Sequence, residues 1–418
     1  MNDVRMQGFS HRHAVDEVVA WIEECVVRLP GESVSLLDAA GRVAADDVVS
    51  QVDVPAFERS MMDGYAVVAS DTQGASAYNR LRLDIVDQSL PGRPSTASVS
   101  PGRAVRIMTG APMPEGADAV VPVEGTEPAG AADRSEGVYI LEGVPVGKHV
   151  GRVGEDIPSG ATVVSSGRIL RPQDLGVLSS IGVAAVSVVR RPTVSIVITG
   201  REILPAGTRP EGCRIADANG PMLRALAVRD GGSVASIRMV PDERDALRRA
   251  LEEPADVRLV TGASSVGQED IVPSVVAELG ELVFHGLAMR PSSPAGVGRI
   301  GESFVFLLPG NPVSALCAYD FFAGRAIRRL GGLPSSWPYR RIERPLTRHL
   351  NSMLGRTDYA RVRLTDGGVE PLAIGGASVL SSTTRADGFV IVPASSEGIP
   401  AGTMVDVWLY ESWITGEP

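Results

Sequence analysis

Between residues 256 and 314, two apolar runs each break into a glycine-containing turn that opens a helix, and this pairing constrains the fold more than any other feature of the chain. The first run, residues 257–260, breaks into Thr261-Gly262-Ala263-Ser264-Ser265-Val266-Gly267-Gln268-Glu269-Asp270. The second, residues 304–308, breaks into Pro309-Gly310-Asn311-Pro312-Val313-Ser314. A third turn of the same kind, Thr199-Gly200-Arg201-Glu202, follows the apolar run at 194–198. In a parallel sheet such turns gather at the carboxyl edge, where ligands settle. Small residues let the backbone approach an anion, and the amino end of a helix presents unpaired N–H groups to it. Three such turns on one sheet point to a pocket for a phosphorylated ligand.

The chain has 418 residues, too many for one hydrophobic core, so two to four domains are expected. A net charge of -10 with no Lys/Arg block argues against nucleic acid or a membrane surface as partner. The three cysteines, Cys25, Cys213 and Cys317, are widely spaced and odd in number, which argues against a disulfide framework or zinc cluster and for buried free thiols in a reducing cytosol. No apolar stretch reaches the roughly 18–20 residues of a spanning helix, and residues 1–12 lack a signal-peptide core, so a cytoplasmic protein is expected. Lysine occurs only at Lys148, so a Lys-to-Arg difference elsewhere carries little weight.

Taken in order, Val15, Val18, Val19, Ile22 and Val26 form a helical stripe over residues 12–29, and a strand-like segment follows at 43–52. Residues 67–150 are rich in Gly, Pro and short β-like runs such as 105–108 and 119–123. A helix is expected near 173–181 and a strand near 185–189. From Pro192 to about Leu333 strands near Val194, Val234, Val257, Val283 and Val305 alternate with helices near 219–229, 243–252, 271–279 and 313–330. That alternation predicts a doubly wound parallel sheet covered on both faces. Residues 339–418 show short alternating strands and no strong helix. The fold class is therefore α/β plus β. The expected division is 1–50 with 151–190 as an α+β linking domain, 51–150 as an inserted β-rich domain, 191–335 as the α/β domain and 336–418 as a barrel-like β domain.

Acidic side chains stand in or near turns at Asp63, Asp156, Glu202, Asp242 and Asp270. Carboxylates beside an anion pocket are how proteins hold Mg²⁺ against phosphates. Each one alone would also serve as a helix cap or turn residue, and Asp270 opens a helix; the five together carry the metal reading. Thr109, in Arg106-Ile107-Met108-Thr109-Gly110-Ala111, puts a hydroxyl at a strand end, suited equally to an oxyanion or a turn. The histidines show no spacing for a transition-metal cage. No G-x-S-x-G, Walker A or G-x-G-x-x-G motif stands in a convincing context, which leaves hydrolase, P-loop and Rossmann readings weak.

An ordered series of motifs across nearly the whole chain resembles the molybdopterin molybdenumtransferase family, meaning bacterial MoeA and the E domain of gephyrin. The series runs through residues 55–66 (P-x-F-x-x-S-x-M-D-G-Y-A), 106–111, 114–121 with Glu124, 154–157, 199–202, Asp217-Ala218-Asn219, Asp242, Ser265-Val266-Gly267 with Asp270, 308–314, 355–361 and 386–388. The resemblance implies a four-domain elongated homodimer whose active site lies between subunits, the Asp63 and Thr109 regions of one facing the pterin domain of the other. It implies adenylylated molybdopterin and molybdate as substrates, Mg²⁺ as cofactor, and the molybdenum cofactor and AMP as products. A molybdopterin adenylyltransferase is a candidate partner. Carried over by position, the catalytic residues would be Asp63, Thr109, Asp156, Glu202, Asp242 and Asp270, with Glu202, Asp242 and Asp270 on the metal. Thr199, Gly200, Gly262, Ser265, Gly267, Arg290, Pro309, Gly310, Asn311 and Ser314 would bind the pterin ligand.

Several positions depart from the family pattern. The Thr-Gly-Asp-Glu turn has Arg201 for Asp, the Gly-Gly pair is Gly262-Ala263, and Lys-Pro-Gly-Lys-Pro reads Arg290-Pro291-Ser292-Ser293-Pro294. Arg290 keeps the charge with another geometry, whereas Ser293 deletes a cation. The arginine expected before Gly-Glu-Asp-Ile is Gly151, with Arg152 beside it. Two enzymatic readings follow: a working molybdenum insertase, or a divergent paralogue that binds pterin or nucleotide with little turnover or serves another oxyanion such as tungstate. The retained acidic set favours the first. A scaffold role like gephyrin's ranks last.

Overall fold

A computed structural model describes residues 9, 11–129, 136–262, 271–373 and 379–410, and every structural statement below refers to these. The chain forms two compact units, residues 33–188 and residues 1–32 with 189–418.

The second of these is built on a six-stranded sheet. Its strands are β1 (Thr193–Thr199), β2 (Ser233–Val240), β3 (Val257–Thr261), β4 (Glu281–His285), β5 (Gly296–Ile300) and β6 (Ser303–Leu308), in the order β2-β1-β3-β6-β5-β4. The four strands β2, β1, β3 and β6 run parallel. β3 is buried along its whole length and β1 along nearly all of it, as expected of inner strands covered on both faces. Alternation along each strand sorts the side chains. Ile196, Ile198, Leu259, Phe304 and Phe306 join one core, and Val197, Val260, Val305 and Leu307 join the other.

The first core is covered by α1 (Val15–Cys25), α2 (Asn219–Arg229), α5 (Pro312–Ala318) and α6 (Gly324–Leu330), and the second by α3 (Arg244–Glu252) and α4 (Val272–Leu279). Pro312 stands in the first turn of α5, where its missing N–H costs nothing. Val15, Val18 and Ile22 of α1 lie in the core of this sheet. The sequence groups residues 1–50 with 151–190, but the apolar stripe of α1 finds its partner face here.

The sheet is not parallel throughout. β5 runs antiparallel to β6 and β4 antiparallel to β5, so the strand near Val283 joins the sheet through a segment with no strand signal in the sequence. Residues 296–300, Gly-Val-Gly-Arg-Ile, carry two glycines and so show little strand character of their own. Between α5 and α6 a π-helical turn, Tyr319–Ala323, interrupts the single helix expected over 313–330. It turns Tyr319 and Asp320 into a buried network. Tyr319 donates to Asp230 (2.9 Å), Tyr339 and Tyr359 donate to Asp320 (2.9 and 3.1 Å), and Arg229 pairs with both carboxylates.

Tyr339 and Tyr359 lie on or beside a sheet made of the strands Met289–Arg290, Arg340–Pro345, Thr357–Thr365, Gly368–Ala373, Gly388–Val392 and Met404–Leu409. Phe389 stacks on Tyr359 with ring centroids 4.1 Å apart, which helps join this sheet to the π turn.

The unit over residues 33–188 carries a six-stranded sheet of its own. Its spatial order is Ala119–Pro122, Gly64–Val67, Arg103–Ile107, Leu81–Ser89, Gly137–Ile140, Thr126–Pro128. Two-residue ladders join Arg59–Ser60 to Val150–Gly151, and a helix, Pro172–Ser180, follows. The strand expected over 43–52 shrinks to Val48–Val49 with isolated bridges at Val43 and Ala44.

Candidate functional site

The carboxyl ends of β1, β3 and β6 meet at a cavity of about 400 Å³. Thr199, Gly262, Gly310 and Asn311 line it together with Glu202. The contact between turns is backbone on backbone. A Cβ on Gly262, whose φ is +107°, would sit 1.9 Å from the Thr199 carbonyl oxygen, and one on Gly310 would sit 3.2 Å from the Gly262 Cα. Only glycine permits that approach. The floor of the cavity is therefore main chain.

Its wall comes from the start of α2. The Asp217 carboxylate accepts the N–H groups of Asn219 and Gly220, at 2.9 Å each, and so satisfies the first donors of the helix. Asn219 Nδ2 donates to Thr261 Oγ1 and to the Gly310 carbonyl, both at 2.8 Å, while the Thr261 hydroxyl donates to the Pro309 carbonyl at 3.2 Å. One amide thus ties β3, the turn after β6 and α2 together. Asp217 and Asn219 are absent from the expected site residues. The Asp-x-Asn before a helix does signal a helix start, but that pattern serves capping wherever it occurs.

Beyond the end of β2, Asp242 lies near Glu202 and Arg201. Burial and the negative charge of Glu202 push its carboxyl above the ordinary range, opposed by the Arg201 guanidinium, the Thr199 hydroxyl and the Arg201 N–H. Arg201, which departs from the family pattern, therefore offsets part of the charge that Glu202 sets against Asp242. The pair fits Mg²⁺. A divalent cation would relieve the repulsion, and Mg²⁺ needs only one or two carboxylates when substrate phosphates complete its shell. Among the described residues no three His, Cys, Asp or Glu side chains are placed to hold a metal by themselves. Ala263, Ser265, Gly267 and Asp270 lie outside the described residues.

Gly200, Pro309, Ser314 and Arg290 are not on the cavity wall. Arg290 is exposed at the end of a short strand, Met289–Arg290. Ser292 stands where the family pattern has glycine, and it keeps a glycine-like φ of +92°. Its buried hydroxyl donates to the Ser314 carbonyl at 2.5 Å, which anchors the 290–294 segment to the first turns of α5. The Ser293 hydroxyl is buried with no hydrogen-bond partner among the described residues.

In the other unit Asp63 and Thr109 come together. The Thr109 N–H and hydroxyl both donate to Asp63 Oδ1, and they hold its carboxyl below the usual range, the N–H more than the hydroxyl. Asp156 lies on an exposed turn whose N–H donates to the Val54 carbonyl at 3.1 Å. The missing arginine at Gly151 has a local counterpart. A Cβ there would sit 2.8 Å from Glu155 Oε1 and 3.2 Å from Arg59 Cγ, and the Arg59 guanidinium pairs with Glu155 at 3.5 Å. The Glu155 and Arg59 side chains together fill the space that a side chain at position 151 would enter.

A main-chain floor and an acidic rim stand at the carboxyl edge of a largely parallel α/β sheet, the edge at which open α/β folds bind ligands. Residues 13–182 match the MoeA N-terminal region (domains I and II), 195–329 the probable molybdopterin binding domain, and 343–410 the MoeA C-terminal region (domain IV). The chain is 35% identical to molybdopterin molybdenumtransferase 2 of Mycobacterium tuberculosis, over 90% of this chain and 94% of that one. It is 32% identical to a putative molybdopterin biosynthesis protein of Methanocaldococcus jannaschii, over 90% of this chain and 92% of that one. Its fold is similar to that of a solved molybdopterin biosynthesis MoeA protein of Pyrococcus horikoshii, with a TM-score of 0.82 at 30% identity, covering 96% of this chain and 100% of that one. The chain belongs to the molybdopterin molybdenumtransferase (MoeA) family.

Proposed function

We propose that this protein carries out the metal-insertion step of molybdenum cofactor biosynthesis, taking adenylylated molybdopterin and molybdate to the molybdenum cofactor with release of AMP. The observation that carries the reading is the cavity that Thr199, Gly262, Gly310 and Glu202 line together, with Asp242 close to Glu202. Glu202 and Asp242, with Asp270 as a third candidate, would hold Mg²⁺ on the phosphoanhydride. The ion supplies charge neutralisation to the phosphates when bound.

The remaining chemistry belongs to the chain. The Thr199 hydroxyl and the Arg201 N–H fix the Asp242 carboxylate before substrate arrives. The bare backbone at Gly262 and Gly310 lets the ligand lie against main chain. A second copy of the chain belongs to this reading, contributing its own Asp63 and Thr109, and so does a cytoplasmic location. No helix among the described residues is long and apolar enough to cross a membrane.

The test is AMP release by the purified protein from adenylylated molybdopterin with molybdate and Mg²⁺. The expected result is Mg²⁺-dependent release that Asp242→Asn and Asp270→Asn each suppress. A protein that releases no AMP, or releases as much with both carboxamides, would overturn the proposal.

A further inference from the structure

Asn219 is 7% exposed and stands on the cavity wall. The Gly310 carbonyl can only accept, so the side-chain nitrogen must face it, and that fixes the amide orientation. Both Nδ2 hydrogens are then spent, one on Gly310 and one on the Thr261 hydroxyl. The Oδ1 atom is left buried and without a hydrogen-bond partner among the described residues. Buried polar atoms in native proteins are nearly always paired, so an orphan on a residue that lines a cavity is met by an ordered water or by a ligand donor.

The surroundings narrow the donor. Asp217, Glu202 and Asn219 line the cavity, and among the described residues no lysine, arginine or histidine does so. Ile198, Ile203 and Ile215 supply apolar wall. Away from a cation held at Glu202, a phosphate would meet carboxylates there, whereas a flat ring with an amino edge would meet acceptors and aliphatic faces.

We propose that Asn219 is a specificity-determining residue whose Oδ1 accepts an N–H from the amino edge of a bound heteroaromatic ring. The inference rests on the functional reading above. That substrate carries two such edges, the 2-amino group of the pterin and the 6-amino group of adenine, and both present the same donor.

Calorimetry on the full-length protein separates them. The probes are pterin against lumazine, which has a carbonyl in place of the 2-amino group, and AMP against IMP, which has a carbonyl in place of the 6-amino group. Wild-type protein is expected to prefer the aminated member of one pair by about tenfold or more. Asn219→Ala, checked for an intact melting transition, is expected to reduce that preference to about threefold or less. The pair that responds names the ring. No preference in wild type within either pair overturns the inference and does not depend on the variant folding. Equal weakening of both members of each pair by Asn219→Ala also overturns it, because that is what a purely structural amide would do. If none of the four probes binds while AMP release proceeds, the inference alone fails; if AMP release is absent as well, the functional reading fails with it.

Discussion

Two hydrogen-bond donors of Thr109, its backbone N–H at 2.7 Å and its hydroxyl at 2.8 Å, converge on one carboxylate oxygen of Asp63. These residues are 46 apart in sequence, so the fold, not local chain geometry, makes the pair. Donation to the charged form lowers the Asp63 pKa, so the carboxylate stays ionised as pH falls through the range where free carboxylates protonate. The pair therefore loses its contribution only below the ordinary carboxylate range. Thr109→Val removes one donor and keeps the other, and Asp63→Asn removes the charge.

Both variants are expected to keep the wild-type melting transition, because the pair is exposed, and to lower AMP release, Asp63→Asn more than Thr109→Val. If the site is shared between two copies of the chain, neither Asp63→Asn nor Asp242→Asn is active alone, but an equal mixture refolded together recovers about a quarter of wild-type activity. The rate of the mixture is the measurement. A mixture no better than its parents would place each site within one chain.

Glu202 and Asp242 make a like-charged pair whose repulsion a divalent cation relieves. Glu202→Gln removes one candidate ligand and lets the Asp242 pKa fall toward its usual value. The concentration of Mg²⁺ needed for half-maximal AMP release should rise by about tenfold or more. The raised Asp242 pKa also means that lowering the pH neutralises this group sooner than an ordinary carboxylate, so Mg²⁺ demand should climb on the acid side. An unchanged Mg²⁺ titration in Glu202→Gln would remove Glu202 from the metal.

Gly262 presses its backbone on the Thr199 carbonyl at a φ that other residues rarely adopt. Gly262→Ala must push β3 away from β1 or distort the turn. The expected loss of stability is about 2 kcal/mol or more, read from denaturant midpoints, together with loss of ligand binding. A variant as stable as wild type would mean that the turns do not meet as described.

Asp320 is buried in the network of the π turn, and burial pushes its pKa up to about 6 against the pull of Arg229 and the Tyr339 phenol. The folded value lies above the unfolded one. Its contribution is therefore fully present below pH about 4 and is lost as pH rises through about 6, a change on the order of 3 kcal/mol. Asp320→Asn should flatten stability across that window while lowering it overall, since Arg229 loses one of its two carboxylates. Unfolding curves at pH 4, 5, 6 and 7 test this. Equal slopes for variant and wild type would show that Asp320 does not titrate there.

The alternation of strands and helices was legible because the inner parallel strands are continuous apolar runs with helices between them. Residues 296–300 were not, because their two glycines hide a strand that exists only through pairing with β6 and β4. The turns at Thr199, Gly262 and Gly310 could be read as points of close backbone approach from residue type alone, since few residues tolerate it. Asn219 could not. Its amide looks like any helix-start side chain until Thr261 and Gly310, 42 and 91 residues away, are seen to consume both its hydrogens.

The chain by itself determined its local preferences: which runs form strands, where glycine must stand, and which positions carry charge. Those follow from the chemistry of each residue and its near neighbours. Only the tertiary structure decided which polar atoms are satisfied and which remain for a ligand, because hydrogen-bond satisfaction is a property of atoms brought together from distant segments. That is why Glu155 and Arg59 could be seen to fill the space beside Gly151, and Ser292 to hold a glycine's backbone angle, only once the strands were in place.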